Sequence, residues 1–261
     1  MLEYARFTAR RYKRRIRLRY PKPVGDADVS FSLDMESDVR TLLLAFGGLN
    51  RQIGMPPFEF FSLTRDIPVK RLFVRDPRQA WYHCGMPQHG GSLMSVADSL
   101  RGLIARHDVE RLVVVGNSAG GYAALVFGTL LGAETVLCFA PQTVLDLKVL
   151  AAAGDHRWDD NLRPHARTGA LDPHWIDLKR ALPEARRADT RYEIYFDDSS
   201  ALERWHAERL LGIEGVRLYR FGHGDHDLVR MLRETGALER ILRRALHAPG
   251  ETLASETASQ A

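Results

Sequence analysis

Short, nearly continuous apolar runs alternate with helix-like segments along most of this chain. The apolar runs are residues 41–46, 70–74, 111–115, 134–140 and 193–196, and a last strand is predicted at 216–221. Helical periodicity is found at 92–107, 122–132, 202–212 and 228–246. Strands that are apolar on both faces are typical of a parallel sheet covered by helices. The alternation therefore predicts an α/β fold with helices on both faces of a mostly parallel sheet.

The N-terminal part has a different pattern. Residues 15–20 alternate apolar side chains with arginines, and residues 29–35 alternate again after a turn rich in Pro, Gly and Asp. Two alternating runs joined by a turn are typical of an antiparallel hairpin. We therefore expect the sheet to begin with an antiparallel N-terminal hairpin.

The length of 261 residues fits one large domain. We expect a single domain over residues 1–249 and a disordered, polar tail at 250–261. Residues 142–190 are too long for a plain crossover between two strands, and they contain two tryptophans and three histidines. This insertion is predicted to form a small helical cap over the carboxyl edge of the sheet.

Several protein classes are excluded by what the sequence lacks. No apolar run reaches the roughly 18 residues that a transmembrane helix needs. No apolar stretch follows the basic N-terminus, so no secretory signal is predicted. The two cysteines, Cys84 and Cys138, are too few for a disulfide framework, and no metal-ligand spacing is present. We expect a cytoplasmic protein with no metal and no cofactor.

Positive charge is concentrated at the N-terminus. Residues 1–22 contain nine basic side chains and one acid, whereas the whole chain has a net charge of +4. Arginines that alternate with apolar residues are typical of a solvated edge strand. An anionic partner or carrier protein is the alternative interpretation. Charge alone is a weak argument for nucleic-acid binding, which we do not expect.

The segment from Gly116 to Gly120, GNSAG, is the strongest indication of chemistry. A buried strand pattern leads into it, and an apolar helix pattern rich in small residues leaves it. A serine on such a sharp turn, here Ser118, has its hydroxyl exposed at the sheet edge, and the flanking glycines let strand and helix approach. The N–H of Ala119 is then available to donate to an oxyanion. The glycine and lysine pattern of a nucleotide-phosphate loop is missing.

With this GxSxG turn, residues 15–246 resemble the α/β-hydrolase superfamily. The resemblance implies a triad in the order serine, acid, histidine, with the acid after a late strand and the histidine after the last one. His226 is the favoured base and His223 the alternative, because both follow the strand at 216–221. Asp198 is the favoured acid, and Asp197 and Glu203 remain open.

The resemblance also places a second oxyanion donor after the strand at 41–46. Gly48 is the favoured donor there and Leu49 the next candidate, although Phe46 stands where many members of the superfamily have histidine. The loop 76–85, with Trp81, Tyr82 and His83, fits a substrate pocket and a buried core equally well.

The implied activity is that of a serine hydrolase acting through an acyl-enzyme on Ser118. Its substrate would be a small or carrier-bound carboxylic ester or thioester. An acyltransferase that uses the same residues, and a non-catalytic binding protein on the same scaffold, are the alternatives.

Overall fold

The computed structural model describes residues 31–49, 60–187 and 189–247. Within these ranges, seven strands form one sheet in the order β1-β3-β2-β4-β5-β6-β7. The strands are β1 (Phe31–Asp34), β2 (Thr41–Phe46), β3 (Lys70–Val74), β4 (Arg111–Asn117), β5 (Thr135–Phe139), β6 (Arg191–Asp197) and β7 (Val216–Phe221). Strand β1 pairs antiparallel with β3, and every other pairing in this sheet is parallel. The predicted mostly parallel sheet with an antiparallel start is confirmed.

The helices of the described residues cover both faces of the sheet. They are α1 (Phe61–Thr64), α2 (Leu93–Ala105), α3 (Ala119–Leu131), α4 (Leu147–Ala152), α5 (Asp159–Arg167), α6 (Leu178–Ala185), α7 (Ala201–Glu208), α8 (Leu228–Glu234) and α9 (Ala237–Leu246). Buried side chains of α2, α3 and α6 form one apolar cluster with the sheet, and those of α8 and α9 form the cluster on the opposite face. Alternation along β2 supplies both clusters, with Leu42 and Leu44 on one face and Leu43 on the other.

Three of the predicted segments fall on other parts of the chain. The first strand of the predicted hairpin, 15–20, and the basic segment 1–22 lie outside the described residues, as does the predicted tail at 250–261. Residues 29–35 are described from Phe31 onward and supply β1. No helix in the described ranges is long and apolar enough to span a membrane.

The insertion between β5 and β6 contains α4, α5 and α6. The apolar face of α6 belongs to the buried layer on the sheet, through Leu178, Ala181 and Leu182. A short antiparallel bridge joins Val144 to Asp177, so the insertion is closed at its base. The insertion thus adds one helix, α6, to the layer that covers the sheet.

Candidate active site

Ser118 lies on a strained turn between β4 and α3. Its backbone angles, φ 57° and ψ −122°, are in a region that residues with a side chain rarely adopt. A Cβ at Gly116 would lie 1.9 Å from the carbonyl oxygen of Gly120, and one at Gly120 would lie 2.3 Å from that of Phe46. Both glycines are therefore required by the close approach of strand, helix and β2. The predicted sharp turn is present, with Ser118 only 8% exposed.

His226 faces this serine. It lies in a single turn of 3₁₀ helix, Asp225–Asp227, that follows β7. Its Nε2 is 2.8 Å from Oγ of Ser118. The alternative base, His223, is exposed and lies near Asp197. Of the two histidines weighed from the sequence, the structure brings His226 to the serine.

Glu203, in the first turn of α7, is the carboxylate that contacts the histidine. Its Oε1 is 3.0 Å from Nδ1 of His226, and its side chain is 1% exposed. A carboxylate oxygen can only accept, so Nδ1 carries the proton and Nε2 is the acceptor for the hydroxyl of Ser118. Ser118, His226 and Glu203 therefore form one continuous hydrogen-bonded line.

The favoured acid, Asp198, does not reach the histidine, and this expectation is corrected. The Asp198 side chain is 40% exposed, and its Oδ1 accepts from Nε of Arg220 at 3.2 Å. The backbone explains the placement. The N–H of Asp198 still donates to the carbonyl of Phe221 on β7, so the chain has not yet left the sheet edge at this residue. Glu203, in the first turn of the next helix, contacts the histidine instead.

Asp197, the other aspartate considered, holds the loops in place. Its Oδ1 accepts from the N–H and the hydroxyl of Ser199 at 2.8 and 2.7 Å, and its Oδ2 accepts from the N–H of Asp225 at 2.7 Å. Burial raises the pKa of Asp197, but these hydrogen bonds outweigh it, and the pKa lies below its ordinary value. Asp197 thus ties the end of β6 to the turn that carries the histidine.

Glu203 belongs to a buried charge network supplied by the insertion. Nη1 of Arg157 donates to Oε1 of Glu203 at 2.5 Å, while its Nε and Nη2 donate to the two oxygens of Asp155 at 2.9 and 2.8 Å. Asp155 also accepts from Nε2 of His206 at 3.0 Å. The N–H of Thr143 donates to Nδ1 of His206, which makes this imidazole neutral.

This network places a net negative charge beneath His226. Two carboxylates face one guanidinium, so one negative charge remains to be balanced. Burial raises the pKa of Glu203, but the hydrogen bonds and charges of His226 and Arg157 outweigh it, and the pKa is lowered. The same competition leaves the pKa of Asp155 below its ordinary value. The carboxylate of Glu203 therefore faces Nδ1 of His226 as an anion near neutral pH.

The two predicted oxyanion donors flank the serine. Ala119 is the first residue of α3, where backbone N–H groups have no partner within the helix. A Cβ at Gly48 would lie 3.4 Å from the carbonyl oxygen of Asn117 and 3.9 Å from Cβ of Ser118. The N–H of Gly47 donates to the carbonyl of Val74, which removes it as a candidate. Gly48 and Ala119 therefore remain the candidate donors.

Gln142 also contacts the serine, and it was not predicted from the sequence. This residue follows β5, and its Nε2 is 3.1 Å from Oγ of Ser118. Its Oε1 accepts from the indole N–H of Trp81 at 3.2 Å. Its position in the sequence could have indicated this contact, because a polar residue directly after the strand next to β4 lies at the same edge of the sheet as Ser118.

The loop 76–85 is part of the core. Trp81, Tyr82 and His83 are 0%, 0% and 3% exposed. His83 accepts from the N–H of Asp172 through Nδ1 at 2.8 Å, and its Nε2 lies 2.7 Å from the hydroxyl of Tyr122. Burial lowers the pKa of His83 to about 4. The neutral imidazole therefore joins the insertion to the helix that begins after Ser118.

The geometry can be compared with known proteins. Among the described residues, no group of three His, Cys, Asp or Glu side chains is placed to hold a metal ion. No model of a known protein family matches the sequence, and no curated relative does either. The chain has the α/β-hydrolase fold, as its similarity to solved structures of that superfamily shows.

Three solved structures illustrate the likeness. The capsule O-acetyltransferase of Neisseria meningitidis serogroup A has a TM-score of 0.61 at 12% identity, with 82% of this chain and 90% of that chain covered. Carboxyl esterase 2 of the fungus Tuber melanosporum has a TM-score of 0.54 at 16% identity, with 91% and 98% covered. The α/β-hydrolase enzyme MGS-MChE2, from a sediment metagenome of the Mar Chica lagoon in Morocco, has a TM-score of 0.54 at 14% identity, with 82% and 92% covered.

Proposed function

We propose that this protein is a serine enzyme that forms an acyl-enzyme on Ser118 from a carboxylic ester or thioester. The observation that carries the proposal is the line from Oγ of Ser118 through His226 to Glu203, with contacts of 2.8 and 3.0 Å. A nucleophile within hydrogen-bond reach of a base, which is itself oriented by an acid, is the arrangement of activated serines on many folds.

The chemistry follows from these contacts. Oγ of Ser118 attacks the carbonyl carbon while Nε2 of His226 takes its proton, and the N–H groups of Ala119 and Gly48 stabilise the oxyanion. The imidazolium then gives the proton to the leaving alcohol or thiol as the acyl–oxygen or acyl–sulfur bond breaks. An incoming water or alcohol loses its proton to His226 and releases the acyl group. No step requires a cofactor.

Hydrolysis is the primary proposal, and acyl transfer is the alternative. The alternative is supported by the likeness to a capsule O-acetyltransferase, a variant of which has been solved in complex with CoA. Hydrolysis is supported by the likeness to esterases. The same three side chains serve both reactions, because the two differ only in the acceptor of the acyl group.

Labelling with a fluorophosphonate probe tests the proposal without knowledge of the substrate. Oγ of Ser118 forms a bond to phosphorus, fluoride leaves, and the serine proton passes to His226. We expect one label per chain by intact mass in the wild type and none in Ser118→Ala. His226→Ala should reduce the labelling rate by at least about 10²-fold. A folded wild-type protein that takes no label would favour the non-catalytic alternative.

A second experiment separates hydrolysis from transfer. Acetyl-CoA and p-nitrophenyl acetate serve as thioester and ester donors, with and without glycerol or a neutral oligosaccharide as acceptor. Free acetate as the product, at a rate independent of acceptor, supports the hydrolase. Acetylated acceptor, seen by mass spectrometry and absent with Ser118→Ala, supports the transferase.

A further inference from the structure

Gln142 reaches the proposed nucleophile from a third direction. It lies at the carboxyl end of β5, is 1% exposed, and places Nε2 3.1 Å from Oγ of Ser118. His226 approaches the same oxygen at 2.8 Å. The hydroxyl of Ser118 is therefore held between an imidazole and an amide.

The chemistry of the neighbouring groups fixes the orientation of this amide. An indole N–H can only donate, so the atom of Gln142 that faces Trp81 is the oxygen, at 3.2 Å. The amide nitrogen then faces Ser118, and it can only donate as well. Oγ must accept from Gln142, which leaves the hydroxyl proton of Ser118 for Nε2 of His226. A single protonation pattern satisfies all of these contacts.

Trp81 is itself held in a strained loop. It is fully buried and has a φ of 51°. The carboxylate of Asp76 accepts from the N–H groups of Ala80 and Tyr82 at 2.7 and 2.8 Å, on either side of Trp81. Such a conformation costs on the order of 1 kcal/mol or more and persists only where surrounding contacts enforce it. The loop thus presents the indole N–H to Gln142 at a fixed place.

We propose that Gln142 is a further catalytic residue, which stabilises negative charge on Oγ, and that Trp81 is the positioning residue that fixes its amide. This inference rests on the proposed function, since it assigns a role within the same reaction. As His226 takes the proton, negative charge develops on Oγ, and the hydrogen bond that Oγ accepts from the amide N–H becomes stronger. When the acyl-enzyme breaks down, the same N–H stabilises Oγ as the carbon–oxygen bond opens.

The first test is the fluorophosphonate labelling rate of Gln142→Met, which keeps most of the volume and removes the donor. We expect a fall of about 10- to 100-fold, below the loss for an oxyanion-hole donor because Oγ carries less charge. Thr129→Val is the matched control. It also loses a buried side-chain hydrogen bond on α3, but at the other end of the helix, and should label within twofold of wild type.

The second test is a double-mutant cycle. Trp81→Phe alone releases the amide to rotate and should slow labelling by about 3- to 10-fold, whereas in the Gln142→Met background it should slow labelling no further. Equal effects in both backgrounds would overturn the positioning role, because Trp81 would then act by packing alone.

The third test uses pH and does not depend on how well Gln142→Met folds. In Gln142→Glu, a protonated carboxyl can accept from Trp81 and donate to Ser118 as the amide does, whereas an ionised one can only accept. The ratio of its labelling rate to that of wild type should therefore fall as pH rises, and taking the ratio cancels the pH dependence that both proteins share. A ratio that is independent of pH would overturn the inference.

The labelling results distinguish a failure of the proposed function from a failure of the role of Gln142. A folded wild-type protein that takes no label refutes the proposed function, and the inference falls with it. A labelled wild type with Gln142→Met and Gln142→Glu both within twofold of it at every pH refutes the inference and leaves the proposed function in place.

Discussion

Replacement of Glu203 by glutamine is the sharpest test of which acid serves His226. The amide keeps the shape of the side chain and an acceptor for Arg157, but it removes the charge that lies 3.0 Å from Nδ1. Two unit charges at this separation interact by roughly 5 kcal/mol at an effective dielectric constant of about 20. Arg157 opposes part of this interaction, so we expect a loss of about 4 kcal/mol of transition-state stabilisation. This corresponds to a rate about 10³-fold lower.

The assay is the second-order rate of fluorophosphonate labelling at pH 7.5, with the thermal midpoint measured on the same samples. Asp198→Asn is the matched control, since its carboxylate lies on the same connection but contacts Arg220. We expect the labelling rate of this control to be within about threefold of the wild-type rate, because a partly exposed ion pair contributes little. The reasoning is refuted if Asp198→Asn slows labelling as much as Glu203→Gln does in folded protein.

Three further predictions concern the scaffold. Gly120→Ala places a Cβ 2.3 Å from a backbone carbonyl oxygen of β2 and should cost at least about 1–3 kcal/mol of stability and abolish labelling, whereas Gly91→Ala, with open space around it, should change neither. Arg157→Met leaves two buried carboxylates without their cation and should lower the free energy of unfolding by about 3 kcal/mol in urea titrations. The buried His83 has a pKa lowered from 6.5 to about 4, so the unfolded chain binds its proton first as pH falls. The stability that this neutral imidazole contributes is complete above pH 6.5 and is lost toward pH 4 by roughly 1.4 kcal/mol per pH unit. The thermal midpoint of His83→Gln should therefore depend less on pH over that range than the midpoint of the wild type does.

The strands and the serine turn could be predicted because their signals are local. Residues 41–46, 70–74 and 216–221 were predicted as strands, and they are β2, β3 and β7. The last helical pattern, 228–246, is divided into α8 and α9 at Gly236, which has a φ of 69°. Gly236 was the signal in the sequence for this division, because a glycine in the left-handed conformation commonly ends a helix.

The carboxylate that contacts His226 could not be chosen from the sequence. Asp197, Asp198 and Glu203 all lie within the seven residues after the predicted strand at 193–196, and no sequence pattern ranks them. Which carboxylate faces His226 depends on contacts made far along the chain. The turn after β6 is held by a hydrogen bond to Asp225, 28 residues later, and Glu203 is bound by Arg157, 46 residues earlier.

The insertion between β5 and β6 supplies side chains to the candidate active site. It begins with Gln142 on the nucleophile, and it provides the guanidinium of Arg157 and the carboxylate of Asp155 behind the acid. Buried charges held this closely do not tolerate the loss of one partner. A change of substrate through replacement of residues 142–190 would therefore have to retain these three side chains. One segment therefore supplies both the amide that contacts Ser118 and the guanidinium that binds Glu203.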